Sequence, residues 1–407
     1  MKHTIAAIVL VVFLFSGQAA QCQTGLDQQL YTAAIHGQVD EIPFLLREGA
    51  NIEARIESYR TPSGESIYAS GCTPLIGAAK EGKTDAALLL LKSGANLEDR
   101  DRNNNSALMW AVRCGFAEMV RALLQKGAQT EMRNEFGDTP LAWAAERGMT
   151  SIVSLLLDNG AQINALCILP VTALYKAAAK GHMDTVHLLL DKKADIEASG
   201  SFLGTPLTAA ARGGEVEIVK LLLARGAKIK PDNPITNNVP ADTPLIAAAE
   251  SGHTDIMKML LDKGADVNEK GMFEETSLMA AAGNRHIEAV KMLLDQGADL
   301  HFGDENKQSA LHYAVDGGDP EIVRLLLERG AEIESRGNDG QTPLTQIICP
   351  HAIMGNAEKI QEIIKLLLER NANINARNDM DESARSCAKQ GKSEGAKILK
   401  AILLQRK

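Results

Sequence analysis

A period of 33 residues constrains this chain more than any other feature. Thr73-Pro74-Leu75 is followed at that spacing by Ser106-Ala107-Leu108, Thr139-Pro140-Leu141, Thr172-Ala173-Leu174 and Thr205-Pro206-Leu207. Thr243-Pro244-Leu245, Thr276-Ser277-Leu278, Ser309-Ala310-Leu311 and Thr342-Pro343-Leu344 continue it, with one irregular step of 38 before Thr243. A Gly-Ala pair keeps the same register at 49–50, 94–95, 127–128, 160–161, 226–227, 264–265, 297–298 and 330–331. Such a period marks an array of supersecondary units, each unable to bury its apolar face until a neighbour stacks on it.

Each unit reads as two helices. Thr or Ser can accept from the orphan N–H groups of the first helix, and proline suits its first position. An Ala-rich turn such as Ala247-Ala248-Ala249 permits close approach to a neighbour. Glycines at 82, 115, 148, 181, 214, 252 and 318 break the chain between helices. The second helix carries an apolar stripe, for example Ile218-Val219 and Leu221-Leu222-Leu223, and stops at a glycine suited to a left-handed cap. Lys193 and Asn371 stand where that glycine is expected, and Arg285 replaces the mid-unit glycine of the eighth repeat. The left-handed conformation costs a lysine about 1 kcal/mol.

This pattern resembles the ankyrin repeat, whose signature stands most fully as Ser309-Ala310-Leu311-His312-Tyr313-Ala314. The resemblance covers about 26–407 and implies an all-α solenoid of about 11 helix-turn-helix units joined by β-turn or finger loops. Residues 26–70 are expected to form an N-terminal cap repeat with a long finger, 71–381 nine internal repeats, and 382–407 a C-terminal cap. The family also implies a structural role for His182, His253 and His286, at the starts of second helices. Three insertions break the register: about twelve residues around Ile56–Ser70, five within Lys230–Asn238, and eight around Cys349–Met354.

The N-terminus reads as an export signal. Lys2 and His3 precede an apolar run from Ile5 to Phe15, and Ser16-Gly17-Gln18-Ala19-Ala20 offers small residues for cleavage near Ala19 and Ala20. A run of 11 is too short to span a bilayer, which takes about 20 residues. The expected organisation is a signal peptide over 1–20, a linker over 21–25 and one repeat domain, secreted or periplasmic and without membrane contact. Cys22 raises a lipid-anchor alternative, disfavoured by the bulky Gln21. The formal charge of −9, with no basic cluster, argues against nucleic acid.

Signals for chemistry are weak. Gly77 to Thr84 satisfies the phosphate-loop pattern GxxxxGK[ST], but that loop works only between a strand and a helix, and here it falls on a first helix. The nine histidines are scattered, no metal-like cysteine spacing occurs, and no catalytic residue, metal or cofactor is expected. Free thiols are the favoured reading of the six cysteines, with Cys349 and Cys387 the one pair worth testing as a disulfide. An enzyme built on Cys349 and His351 is the weakest alternative.

The expected activity is therefore binding of a protein partner by a monomer, in the periplasm or outside the cell. The alternative is an exported effector acting on a host protein. In the resembled family partners meet the finger tips and first helices along a concave groove. Here that inventory comprises Trp110 and Trp143, at equivalent positions, with Arg113, Glu146 and Arg147 as a charged rim. Apolar finger residues add Phe136, Leu166, Ile168, Leu169, Phe202, Leu203, Met272 and Phe273, across repeats three to eight. Tryptophan and arginine are enriched at interface hot spots. The competing reading has the two indoles packed against their own fingers.

Overall fold

The computed structural model describes residues 25–60, 66–167, 170–198, 203–230, 242–349 and 356–405. The signal segment, Cys22, Ile168, Leu169, Phe202, His351 and most of the second and third insertions lie outside the described residues.

Eleven helix pairs follow one another among the described residues. They are α1 (25–36) with α2 (Glu41–Arg47), α3 (Pro74–Lys80) with α4 (Thr84–Lys92), α5 (Ala107–Cys114) with α6 (Ala117–Gln125), and α7 (Pro140–Glu146) with α8 (Thr150–Asp158). Next come α9 (Ala173–Ala179) with α10 (Met183–Asp191), α11 (Pro206–Gly213) with α12 (Val216–Ala224), and α13 (Pro244–Glu250) with α14 (Thr254–Asp262). The last are α15 (Ser277–Gly283) with α16 (Ile287–Asp295), α17 (Ala310–Gly317) with α18 (Pro320–Glu328), α19 (Pro343–Ile348) with α20 (Ala357–Glu369), and α21 (Ala384–Gln390) with α22 (Glu394–Gln405). The described residues fall into two compact units. One holds those up to Ala177 together with Asp184–Ala194; the other holds Ala178–Met183 and those from Asp195 onward.

The first helices start where the tripeptides place them. The hydroxyls of Thr73, Ser106, Thr139, Thr243 and Thr276 accept from backbone N–H groups three residues on, at 3.2–3.4 Å. The following leucines, Leu75, Leu108, Leu141, Leu207, Leu245, Leu278, Leu311 and Leu344, are all buried. Each such burial contributes about 1.5–3 kcal/mol. In the second helices one stripe turns inward: Ile218, Val219 and Leu222 are buried, while Leu221 and Leu223 stay half-buried. Lys193, Asn371 and Arg285 take φ of 65°, 66° and 65°, the left-handed backbone expected where they displace glycine.

The first insertion adds something a purely helical expectation leaves out. It folds as an antiparallel hairpin, β1 (Ile56–Arg60) with β2 (Ser66–Cys72), irregular between Ile56 and Ser58. Its isoleucines and tyrosines are strand formers, and its length leaves room for a ladder. Arg102 anchors it from the next finger, through its N–H to the Ser70 carbonyl at 3.0 Å and an ion pair with Glu57 at 2.7 Å. At the other end of the chain α20 runs 13 residues where most second helices have nine, so part of the third insertion lengthens a helix. Cys349 and Cys387 form a disulfide with Cα atoms 5.5 Å apart, tying the tenth repeat to the C-terminal cap. This replaces the free-thiol reading for that pair; Cys72, Cys114 and Cys167 are free. No helix among the described residues is long and apolar enough to cross a membrane.

Candidate partner-binding surface

The fingers are closed by one recurrent device. In the third repeat the Asp101 carboxylate accepts from the N–H groups of Asn103 and Asn105 at 2.9 and 2.8 Å. Asn134 does the same for Phe136 and Asp138, Asp304 for Asn306 and Gln308, and Asn378 for Met380 and Glu382. An Asx side chain thus supplies a local turn, leaving the tip's side chains outward. The signal was in the sequence: an Asp or Asn five residues before a Ser or Thr helix cap.

In the first unit this device positions aromatic chemistry. The second oxygen of Asp101 accepts the indole N–H of Trp110 at 2.8 Å, and Trp110 is only 9% exposed. Trp110 therefore packs against its own finger. Trp143, one repeat later, is half-buried. Between the two rings lies Arg113, its guanidinium carbon 4.9 Å from the Trp110 centroid and 5.2 Å from that of Trp143. Lys80 sits 4.8 Å from Trp110, so cations and rings alternate along the first helices: Lys80, Trp110, Arg113, Trp143. Each contact contributes about 0.5–1 kcal/mol where solvent reaches it.

Lys176, at the same register position as the tryptophans, continues the row. It donates to Asp138 at 2.7 Å and to Glu146 at 2.9 Å. Burial alone would push its ammonium pKa down; the two carboxylates outweigh that and raise it. Glu146 is thus engaged with Lys176, while Arg147 is exposed. The finger residues Phe136 and Leu166 are 68% and 41% exposed. Arg133 links their loops, donating to the carbonyls of Gly137 and Leu166.

The second unit presents a different inventory. Leu203 and Met272 are half-buried, and Phe273 is 47% exposed at a left-handed φ of 56°. Arg212 pairs with Asp242 at 2.6 Å and Glu250 at 3.3 Å. Burial nevertheless raises the Asp242 carboxyl pKa, with Arg212 opposing it. Beside them burial, then the charges of Asp242, Glu250 and Asp304, push the Glu275 carboxyl up to about 7. Farther along, Tyr313 donates to Asp304 at 3.0 Å, the same finger-to-helix bond that Trp110 makes with Asp101.

Other groups singled out in the sequence have structural work. Gly77 to Lys80 lie in α3, and a Cβ on Gly77 would stand 2.7 Å from the Tyr31 ring; the glycine serves close packing, and no phosphate cradle forms. The rings of His253 and His286 bond the carbonyls of Arg212 and Glu250 at 3.2 and 3.0 Å, tying successive turns as the resemblance implied. His312 is fully buried, its Nε2 3.1 Å from the Gln341 carbonyl while Nδ1 accepts from the Ser309 N–H at 3.1 Å. That pattern requires the neutral ring, and burial lowers its pKa accordingly.

Cys349 is held in its disulfide and offers no thiolate, which removes the Cys349-based enzyme. Glu382 lies with Cys349 and Cys387 at metal-ligating distances, but the sulfur–sulfur bond leaves it the one ordinary ligand of the three. Burial pushes the Cys72 and Cys167 thiols up to about 12, so neither is a nucleophile near neutrality.

A family model described as "Ankyrin repeats (3 copies)" matches repeatedly, over 30–134, 78–167, 127–200, 167–233, 197–271, 231–302 and 278–378. No curated protein sequence matches. Among solved structures, the crystal structure of the human ASB11 ankyrin repeat domain is 25% identical, with 58% of this chain covering 99% of that one at a TM-score of 0.47. An overlap that loose carries no detail across.

Proposed function

Since the chain belongs to the ankyrin-repeat family, we propose that it is a non-enzymatic module that docks a protein partner in the periplasm or the extracellular space. The observation that carries this reading is the first unit's pairing of a rigid scaffold with outward apolar groups. Phe136 and Leu166 face solvent from adjoining fingers, and Trp143 is half-buried on the first helix between them in sequence. Exposed apolar groups that adjoin one another in a patch mark partner surfaces, and Phe136 and Leu166 are the first unit's candidates for such a patch. A rim of Arg113 and Arg147 adds charged anchors, and arginine and tryptophan are the residues that dominate interface energetics. The second unit carries its own set, Leu203, Met272 and Phe273. Ile168, Leu169 and Phe202 belong to the same reading by sequence.

An extracytoplasmic location is supported by the apolar run from Ile5 to Phe15 and by the Cys349–Cys387 disulfide, since such bonds persist in oxidising compartments. Docking should need little backbone change at the fingers of Asp101, Asn134, Asp304 and Asn378, which are closed by their own hydrogen bonds.

The test is capture of partners from exported-protein extracts on the purified chain and on a Phe136→Asp/Trp143→Ala variant of matched helicity. The native bait is expected to retain proteins that the variant releases. Identical recovery on both baits would remove the first unit's face as the binding surface.

A further inference from the structure

We infer that the Lys80–Trp110–Arg113–Trp143 row is a receptor for the carboxylates of an acidic peptide segment; this rests on the protein-binding reading above and names the partner's chemistry. The geometry starts with Arg113. Its guanidinium carbon is held 4.9 and 5.2 Å from two ring centroids. Stacking on rings occupies the flat faces of a guanidinium and leaves its in-plane N–H donors, the fork that matches a carboxylate, unspent. Among the described residues neither Arg113 nor Lys80 forms a hydrogen bond or an ion pair with any protein group. This contrasts with Lys176 and Arg212, at related positions of later repeats, each neutralised by two carboxylates.

A cation pre-oriented in this way has already lost the rotamer freedom that a free surface arginine gives up on binding. Trp110 is itself fixed by its bond to Asp101, so the row is rigid from the finger inward. The surroundings set the sign. Arg113, Lys80 and Arg147 all act on the neighbouring Cys114, against one acid there, Glu81, on a chain of net charge −9. The overall negative charge repels extended polyanions such as nucleic acid, while a short acidic segment meets only the local field. Exposed Phe136 and Leu166 on the neighbouring fingers suit apolar side chains interspersed among the segment's acids.

The test uses the chain's own reporters, because its two tryptophans are Trp110 and Trp143. Tryptophan emission of the full chain is followed while a peptide of repeating Glu-Ser-Leu, its Gln-Ser-Leu counterpart or a single-stranded oligonucleotide is added. The acidic peptide is expected to give a saturable change and the glutamine peptide to bind at least about tenfold more weakly, the scale of a charge-assisted hydrogen-bond pair. Arg113→Lys, which keeps the charge and loses the fork, is expected to weaken the acidic peptide by about tenfold at unchanged helicity. Lys80→Gln should give a smaller loss and serves in its place if the arginine variant misfolds. No response to the acidic peptide, equal responses to both peptides, a stronger response to the oligonucleotide, or native affinity in the variant that folds would each overturn the proposal. Partners still captured through Phe136 and Trp143 in any of those cases would leave the broader binding reading standing.

Discussion

The fourth residue after each Ser or Thr helix cap is filled differently in the two units. In the first it is Gly77, then Trp110, Trp143 and Lys176; in the second it is Ala209, Ala247 and Ala280, then Tyr313, Gln346 and Cys387. The backbone repeat is the same, so the difference lies in what the inner side of the first helices is used for. The large side chains of the first unit are held by Asp101, by Arg113 and by the Asp138 and Glu146 carboxylates, and among the described residues Lys80 and Arg113 meet rings but no carboxylate. The alanines of the second unit let helices close on one another. A Cβ on Gly317 would come 2.6 Å from the Gly283 carbonyl oxygen. Gly317 lies four residues beyond Tyr313, so one repeat can carry a large side chain at one position of its first helix and close helix packing at another.

Trp110→Ala is the hardest blow to this contrast. Removing a buried indole and its bond to Asp101 should cost about 3–5 kcal/mol, read as a loss in urea stability with faster amide exchange in α5. Trp143→Ala, half-buried, should cost clearly less; equal losses would erase the distinction drawn between the two indoles. Gly317→Ala probes the second unit. Forcing a methyl against the α15 backbone should cost about 1–3 kcal/mol and loosen exchange protection in α15 and α17, whereas unchanged protection would mean those helices are not tightly apposed.

Smaller effects sharpen the picture. Lys193→Gly relieves a left-handed lysine at φ 65° and should add up to about 1 kcal/mol of stability, partly offset by the freer unfolded glycine and read as a higher melting temperature. A melting temperature that stays or falls would show that the lysine is unstrained. Glu275→Gln is the subtlest. The folded carboxyl titrates near 7 against an ordinary 4.5, so the folded state binds the extra proton and native stability falls as pH rises between those values. The variant should match the native chain near pH 4 and exceed it near pH 8 in thermal melts, by an amount that solvent screening keeps modest. Parallel melting curves across that range would place Glu275 outside the acidic cluster.

Much of this was legible in residue spacing. The helix caps, the leucines behind them, the left-handed Lys193, Asn371 and Arg285, and the turn-tying histidines all follow from local rules applied once per repeat. The finger-closing Asp101, Asn134, Asp304 and Asn378 were equally periodic but are harder to see, because Asp and Asn are interchangeable there and common in loops. The hairpin of the first insertion was out of reach of the period, since an insertion is by definition where the period stops. Of the candidate surface, the types were readable and the contacts were not. Nothing in the spacing says that Arg113 lies between two rings while Arg212 is neutralised.

Residue spacing alone set the repeat, its register and which side chains face the core, because each is a pattern legible within one unit of about 33 residues. Tertiary structure decided what crosses from one repeat to another. It buried Trp110 and left Trp143 partly open, joined Cys349 to Cys387, and gathered Asp242, Glu250 and Asp304 around Glu275. Those outcomes depend on how far apart stacked helices settle and which way a side chain turns between them. Side chains a repeat apart meet only after stacking, so their pairing is a property of the stack and not of the unit.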